Sequence, residues 1–187
     1  MRTPLFRDTP SGLTTHTGAD RVNRVKNPAF DQHSQHILNL KDPEARWFSG
    51  SVKALFPSVL AAVENLTARY GPSELVIIPS SKAGRVSKAL DLMAKNACRR
   101  HGACSYTEGA LTRTKTIEKL ATGGDRSIQR HLESMSFSDS RRAPPVKILF
   151  DDISTSGNSI AAAATMIRAG SEGSVVVALV LGRTTHD

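Results

Sequence analysis

The spacing of apolar and polar positions changes several times along the chain, and each change marks an element. From His36 the stretch HILNLK reads as a short strand. Residues 44–70 read as helical, with Val59, Leu60, Val63 and Leu66 on one face; Pro57 must start, break or kink a helix there. Gly71-Pro72 ends that segment. ELVIIPS is a continuous apolar, β-branched run, the pattern of a strand buried on both sides. Residues 84–101 return to helix, with Val86, Leu90, Met93, Ala94 and Ala97 in one stripe. A strand over about 103–110 follows. LTRTKTIEKLATGGDRSIQRH is polar, basic and glycine-containing, which predicts a loop and then a short helix. RRAPP is a linker. VKILFDD predicts a strand, SIAAAATMIRAG a helix closed by Gly170, and SVVVALVLGRT a last strand. Strands alternating with helices imply an α/β fold: a parallel sheet flanked by crossover helices.

The first 34 residues break the pattern. They are rich in Thr, Arg, Asn, Asp and Gly and have no period, so residues 1–34 are expected to form a flexible basic extension, with one domain over 35–187. With 187 residues the chain is long enough for such a domain with a real core. Charge sharpens the picture: 25 Lys+Arg stand against 17 Asp+Glu, a formal net charge of +8. That balance favours polyanionic partners, among them nucleotides, phosphates and nucleic acid held through the basic arm. Cys98 and Cys104 form no CxxC pair, so a zinc ribbon is excluded and a structural disulfide is not expected. The opening MRTPLFRDTP has no apolar core for a signal peptide, and no apolar run reaches the length of a membrane span. The expectation is a cytoplasmic protein with no membrane partner.

The chemistry concentrates in VKILFDDISTSGNS. In a parallel sheet, ligands bind beyond the carboxyl ends of the strands, and Asp151 and Asp152 fall there. Ser154, Thr155, Ser156, Gly157, Asn158 and Ser159 then lead into a helix whose first-turn N–H groups and dipole attract an anion. Hydroxyls add donors, and Gly157 lets the backbone approach closely. A phosphate monoester suits this loop. The two carboxylates would repel that phosphate, so they suit a neighbouring polyol, such as the ribose 2′ and 3′ hydroxyls, or a Mg²⁺ ion. An N-cap needs only one such residue; two acids and a hydroxyl-rich loop exceed that need. The Walker A pattern is absent.

FDDISTSGNS resembles the phosphoribosyl pyrophosphate (PRPP) signature of type I phosphoribosyltransferases, gaplessly from Ile148 to Ser159. HILNLKDPEARWF, PSSKAGR, LTRTKT and VVVALVLGRTT look more narrowly like the competence protein F (ComF-like) branch, over about residues 36–187, without that branch's zinc ribbon. The resemblance implies a type I phosphoribosyltransferase-like sheet with a small hood and a mobile loop. It implies that Asp151 and Asp152 hold the ribose, with Mg²⁺ as cofactor at the same pair, and that Ser154 to Ser159 bind the 5-phosphate. It places a pyrophosphate loop at Ser80, Ser81, Lys82, Ala83, Gly84 and Arg85, and a mobile catalytic loop over about 113–130. Lys82, Arg113 and Lys115 are then the expected catalytic cations, stabilising the pyrophosphate as it leaves. Thr155 stands where 6-oxopurine enzymes carry an Asp, which argues against a hypoxanthine-guanine substrate. No aromatic box names the base; Phe150 reads as core, and Trp47 and Phe48 as packing for the hood. The histidines show no ligand spacing beyond a weak His33/His36 pair.

Three functions fit. One is a Mg²⁺-dependent phosphoribosyltransferase moving phosphoribose between pyrophosphate and a base-like acceptor. Another is a non-catalytic regulator with the same fold that binds nucleic acid. The last is an accessory factor in DNA uptake or processing. A homodimer is compatible with each.

Overall fold

The computed structural model describes residues 31–118, 127–139 and 143–183. Most of the expected basic extension, the segment 119–126 and the Arg141-Arg142 part of the linker lie outside the described residues.

The first described element corrects the first expected one. The stretch around HILNLK is not a strand but the helix α1, Gln32–Asn39. Asp31 caps it: its Oδ1 accepts from the N–H of Ser34 at 2.8 Å. Ile37 and Leu40 are buried three residues apart, a helical spacing that so short a segment hardly distinguishes from a strand. The proposed boundary at residue 34 therefore falls inside a helix. His33 reaches the Leu181 carbonyl oxygen at 2.8 Å and Ser34 is buried, so residues 31–34 belong to the folded unit.

Helix α2, Phe48–Tyr70, starts later than expected and runs through Pro57 without interruption. Pro57 lies on the exposed face, where the carbonyl it leaves without a donor is open to water. The opposite face buries Leu55, Val59, Ala62, Val63 and Leu66. Each fully buried Leu or Val contributes roughly 1.5–3 kcal/mol. Strand β1, Ser73–Ile77, is buried throughout. Helix α3, Lys88–Arg100, is capped by the Ser87 hydroxyl; Leu90, Met93, Ala94 and Ala97 face the core as expected, but Val86 precedes the helix and is exposed.

The strand expected over 103–110 is two short strands in different sheets. β2, Cys104–Tyr106, continues the main sheet, and β3, Leu111–Arg113, leaves it after a turn at Gly109. β3 pairs antiparallel with β4, Met135–Phe137, a strand of three residues too short for a pattern to reveal. Between them lies the helix α4, Ile128–Ser134. Strand β5, Val146–Ser154, helix α5, Asn158–Gly170, and strand β6, Val175–Arg183, follow the expected order. Cys98 and Cys104 are free thiols.

The main sheet has four parallel strands in the order β2-β1-β5-β6. One face carries Leu75, Ile77, Ile148, Phe150, Leu179 and Leu181 against α1, α2 and α3. The other carries Val76, Leu149, Val176 and Val180 against α5 and the β3-β4 pair. The α/β architecture with a parallel sheet between helices is thus as expected. From β1 the chain crosses outward through α3 to β2; from β5 it crosses the opposite way through α5 to β6. The direction of winding reverses between the neighbours β1 and β5, and the crevice beyond their carboxyl ends is where such folds bind ligands.

At the opposite end, β1 and β5 are clamped by an ion pair that the sequence pattern conceals. Lys147 is paired in register with Glu74. Its Nζ donates to Glu74 Oε2 and to Asp139 Oδ1, both at 2.7 Å, and its side chain is wholly buried. Among the described residues no helix is long and apolar enough to cross a membrane.

Candidate phosphate and polyol site

Strand β5 outruns β1. Ile77 pairs with Phe150, and the N–H of Ile78 donates to the Phe150 carbonyl at 2.9 Å, after which β1 leaves the sheet. On its other side β5 stays paired with β6 as far as Ser154 and Arg183. Asp151 and Asp152 therefore project from a strand held on one side and open on the side facing the loop after β1. Alternation puts Asp152 on the face of Phe150 and the α1-α2 connection, and Asp151 on the α5 face.

The carboxylates are fixed by local bonds. Asp151 Oδ1 accepts from the N–H of Asp152 at 2.8 Å, and Asp152 Oδ1 accepts from the N–H of Ile153 at 2.7 Å. Lys41, just past α1, forms an ion pair with Asp152. Burial of the carboxyl, and secondarily the charge of Asp152 beside it, push Asp151 well above the usual carboxylate range, against the weaker opposing pull of Lys41. The pair is thus short of positive charge. Its donor set, two adjacent carboxylates, fits a hard cation such as Mg²⁺ or hydroxyl donors. Among the described residues no group of three His, Cys, Asp or Glu side chains is arranged to hold a metal by itself, so a cation here would need ligand or water oxygens as well. His33 and His36 are spoken for by the Leu181 carbonyl and the Ser51 hydroxyl.

The loop after the acids is built differently from a plain cap. Gly157 occupies the N-cap position in the left-handed region, φ 77°, and no side chain caps the helix. Only the N–H of Asn158 finds the Ser156 hydroxyl, at 3.4 Å. The N–H groups of Thr155, Ser156, Gly157, Ser159 and Ile160 have no protein acceptor among the described residues. Thr155 and Ser156 are exposed, and Ser154, Gly157, Asn158 and Ser159 are half-buried. Unpaired donors converging at a helix start, without a capping side chain, make a cradle for an anion. Arg183, opposite Ser154 in register, is exposed and has no ion pair among the described residues.

The expected pyrophosphate loop lies on the far side of the crevice and is tied off. The N–H of Ser80 donates to Arg85 O at 3.3 Å, that of Arg85 to Lys82 O at 3.3 Å, and that of Gly84 to Arg113 O at 3.0 Å. Lys82 donates its N–H to the Ser80 hydroxyl at 3.3 Å, and Ala83 to the Thr116 hydroxyl at 3.0 Å. Of the amides expected to receive pyrophosphate, all but that of Ser81 are therefore already used. The Lys82 and Arg85 side chains are exposed and unpaired among the described residues, as a cationic rim would require.

Arg113 is not where the sequence reading put it. Instead of heading a mobile loop, it lies in β3 and is buried. Its Nε donates to Ser80 O at 2.7 Å and its Nη1 to the Ser134 hydroxyl at 2.6 Å, while Nη2 sits 3.2 Å from His131 Nδ1. A guanidinium so engaged holds the loop in place and cannot also meet a ligand. Lys115 is exposed. Trp47, expected as hood packing, is 59% exposed with the Arg46 guanidinium over its ring, whereas Phe48 and Phe150 are core. Lys41 was missed because one lysine in a polar turn carries no signal until the fold brings it to Asp152.

No protein-family model matches the chain, and a search of curated proteins finds no match.

Proposed function

We propose that the protein binds PRPP or a ribonucleoside 5-phosphate and acts as a type I phosphoribosyltransferase-like protein. The carrying observation is the juxtaposition at the end of β5 of a charge-deficient acid pair and five unpaired backbone donors. A phosphate monoester takes the donors from Thr155 to Ile160. The ribose hydroxyls then reach Asp151 and Asp152, which accept their protons in hydrogen bonds and fix the ring. Mg²⁺ would be held through the same two carboxylates together with ligand oxygens, and supplies charge stabilisation for a departing pyrophosphate. Lys82 and Arg85 extend toward solvent from the neighbouring loop and add cationic stabilisation on the leaving-group side. Lys115 is retained as a further cation; Arg113 acts by positioning.

The tied-off loop after β1 favours one second reading: a protein that binds nucleotides and regulates, without transferring phosphoribose. Pyrophosphate release from PRPP and Mg²⁺ with a panel of nucleobases separates the two. Base-dependent release supports transfer. Tight nucleotide binding with no release for any base supports the regulator, and absence of binding to PRPP and to ribose 5-phosphate defeats both.

A further inference from the structure

We propose that residues 113–117 act as an internal latch that competes with pyrophosphate for the loop after β1. The inference rests on the ligand reading above only for the identity of the anion. Four hydrogen bonds join the two segments. Arg113 gives its Nε to Ser80 O at 2.7 Å and takes the Gly84 N–H on its own carbonyl at 3.0 Å. The Thr116 hydroxyl accepts from the Ala83 N–H at 3.0 Å. The Ile117 N–H donates to Ser81 O at 2.9 Å. Ile117 is itself buried, which anchors the end of the latch. The segment is fastened below as well, since the Thr114 N–H donates to Ser134 O at 2.8 Å.

Two features make this a competitor rather than inert packing. The amides of Ala83 and Gly84 are satisfied by acceptors from outside their own loop, so an incoming anion must displace Thr116 and Arg113 to use them. Their neighbours Lys82 and Arg85 present exposed, unpaired cations on the same loop, so the anion's charge is provided for while the hydrogen bonds of Ala83 and Gly84 are not. Gly84, at φ 67°, lets the loop adopt the conformation that meets the latch. Anion binding here is therefore coupled to release of residues 113–117, and the Thr116 hydroxyl is the contact easiest to remove, because the residue is exposed.

The test uses the full chain and inorganic pyrophosphate as the probe. Thr116→Val deletes the acceptor at constant shape, and Thr116→Ser keeps it. With Val, pyrophosphate affinity should rise roughly fivefold, about 1 kcal/mol, the size of one hydrogen bond, and the Ala83 amide should exchange with solvent several-fold faster. Ser should behave as the parent. Ribose 5-phosphate affinity should stay the same in all three proteins. Unchanged or weaker pyrophosphate binding in Thr116→Val, with ribose 5-phosphate binding intact, overturns the latch. If ribose 5-phosphate fails to bind the parent protein, the proposed function falls, and Ala83 exchange alone decides the latch: faster with Val sustains it, equal overturns it.

Discussion

Two loops leave neighbouring strands at the same end of the sheet, yet they are prepared for a ligand in opposite ways. The loop after β5 keeps its donors free: five N–H groups from Thr155 to Ile160 meet no protein acceptor among the described residues. The loop after β1 spends most of its donors internally: the amides of Ser80, Lys82, Ala83, Gly84 and Arg85 are bonded within the protein, and only that of Ser81 meets no acceptor among the described residues. Unpaired donors at a helix start can remain free because water reaches them. If the crevice takes the proposed ligand, one side is preorganised and the other must rearrange, so the ligand should enter by its monoester phosphate and engage the second loop afterwards.

The largest expected effect strikes what both loops share. They hang from β1 and β5, which Lys147 clamps through Glu74 and Asp139. Lys147→Met leaves the buried Glu74 carboxylate without its cation and should cost about 3–5 kcal/mol. Urea unfolding measures it, and both loops should lose protection together. A cost under about 1 kcal/mol would mean the clamp does not hold the pair of strands.

Replacing both acids separates the loops. Asp151→Asn with Asp152→Asn should weaken ribose 5-phosphate by a few kcal/mol in calorimetry, since hydrogen bonds to charged groups contribute roughly 1.5–3 kcal/mol each. Inorganic pyrophosphate, which meets only the other loop, should bind no more weakly than before. Equal losses for both ligands would erase the distinction.

A matched pair of glycines sharpens it. Gly157 and Gly84 both hold positive φ, at 77° and 67°, and an added Cβ meets nothing closer than 3.9 Å in either case. Alanine at either position should therefore cost a similar roughly 1 kcal/mol of stability through backbone strain alone. Only Gly157→Ala should also weaken ribose 5-phosphate, because the strain is relieved by moving donors that the phosphate needs.

The smallest effect concerns Asp151 alone. Its folded-state pKa is raised by burial and by Asp152. As pH climbs from the unfolded-state pKa toward the folded one, the native state retains a proton that the unfolded state has lost, so this group's contribution to stability falls. Above the folded pKa the penalty is fully present. Asp151→Asn should accordingly raise the melting temperature at neutral pH, and the gain should vanish in acid below the unfolded carboxylate range. A lower melting temperature at neutral pH would show that the acid stabilises the free protein.

The sequence carried the preorganised side far better than the tied-off side, for a physical reason. The β5 strand, its two acids, the hydroxyl run and the α5 start are contiguous, so a single local pattern contains the site. The latch joins residues about thirty positions apart, and nothing in LTRTKT distinguishes an arginine buried against Ser80 O from one waving in solvent. The same reasoning accounts for α1, whose eight residues bury a single apolar side chain, Ile37, too few to define a period, and for β3 and β4, whose three residues each are fixed by pairing rather than by alternation. Lys147 was hidden in plain view: a lysine inside VKILF gives no sign that its partner lies on the neighbouring strand.

The most direct test of the phosphate cradle is a titration of the isotope-labelled protein with ribose 5-phosphate, followed through its backbone amide resonances. Saturable shifts are expected at Thr155 through Ile160 and at Asp151 and Asp152, with the amides of Ser80 to Arg85 left in place. Shifts confined to Ser80–Arg85, or none at saturating ligand, would contradict it.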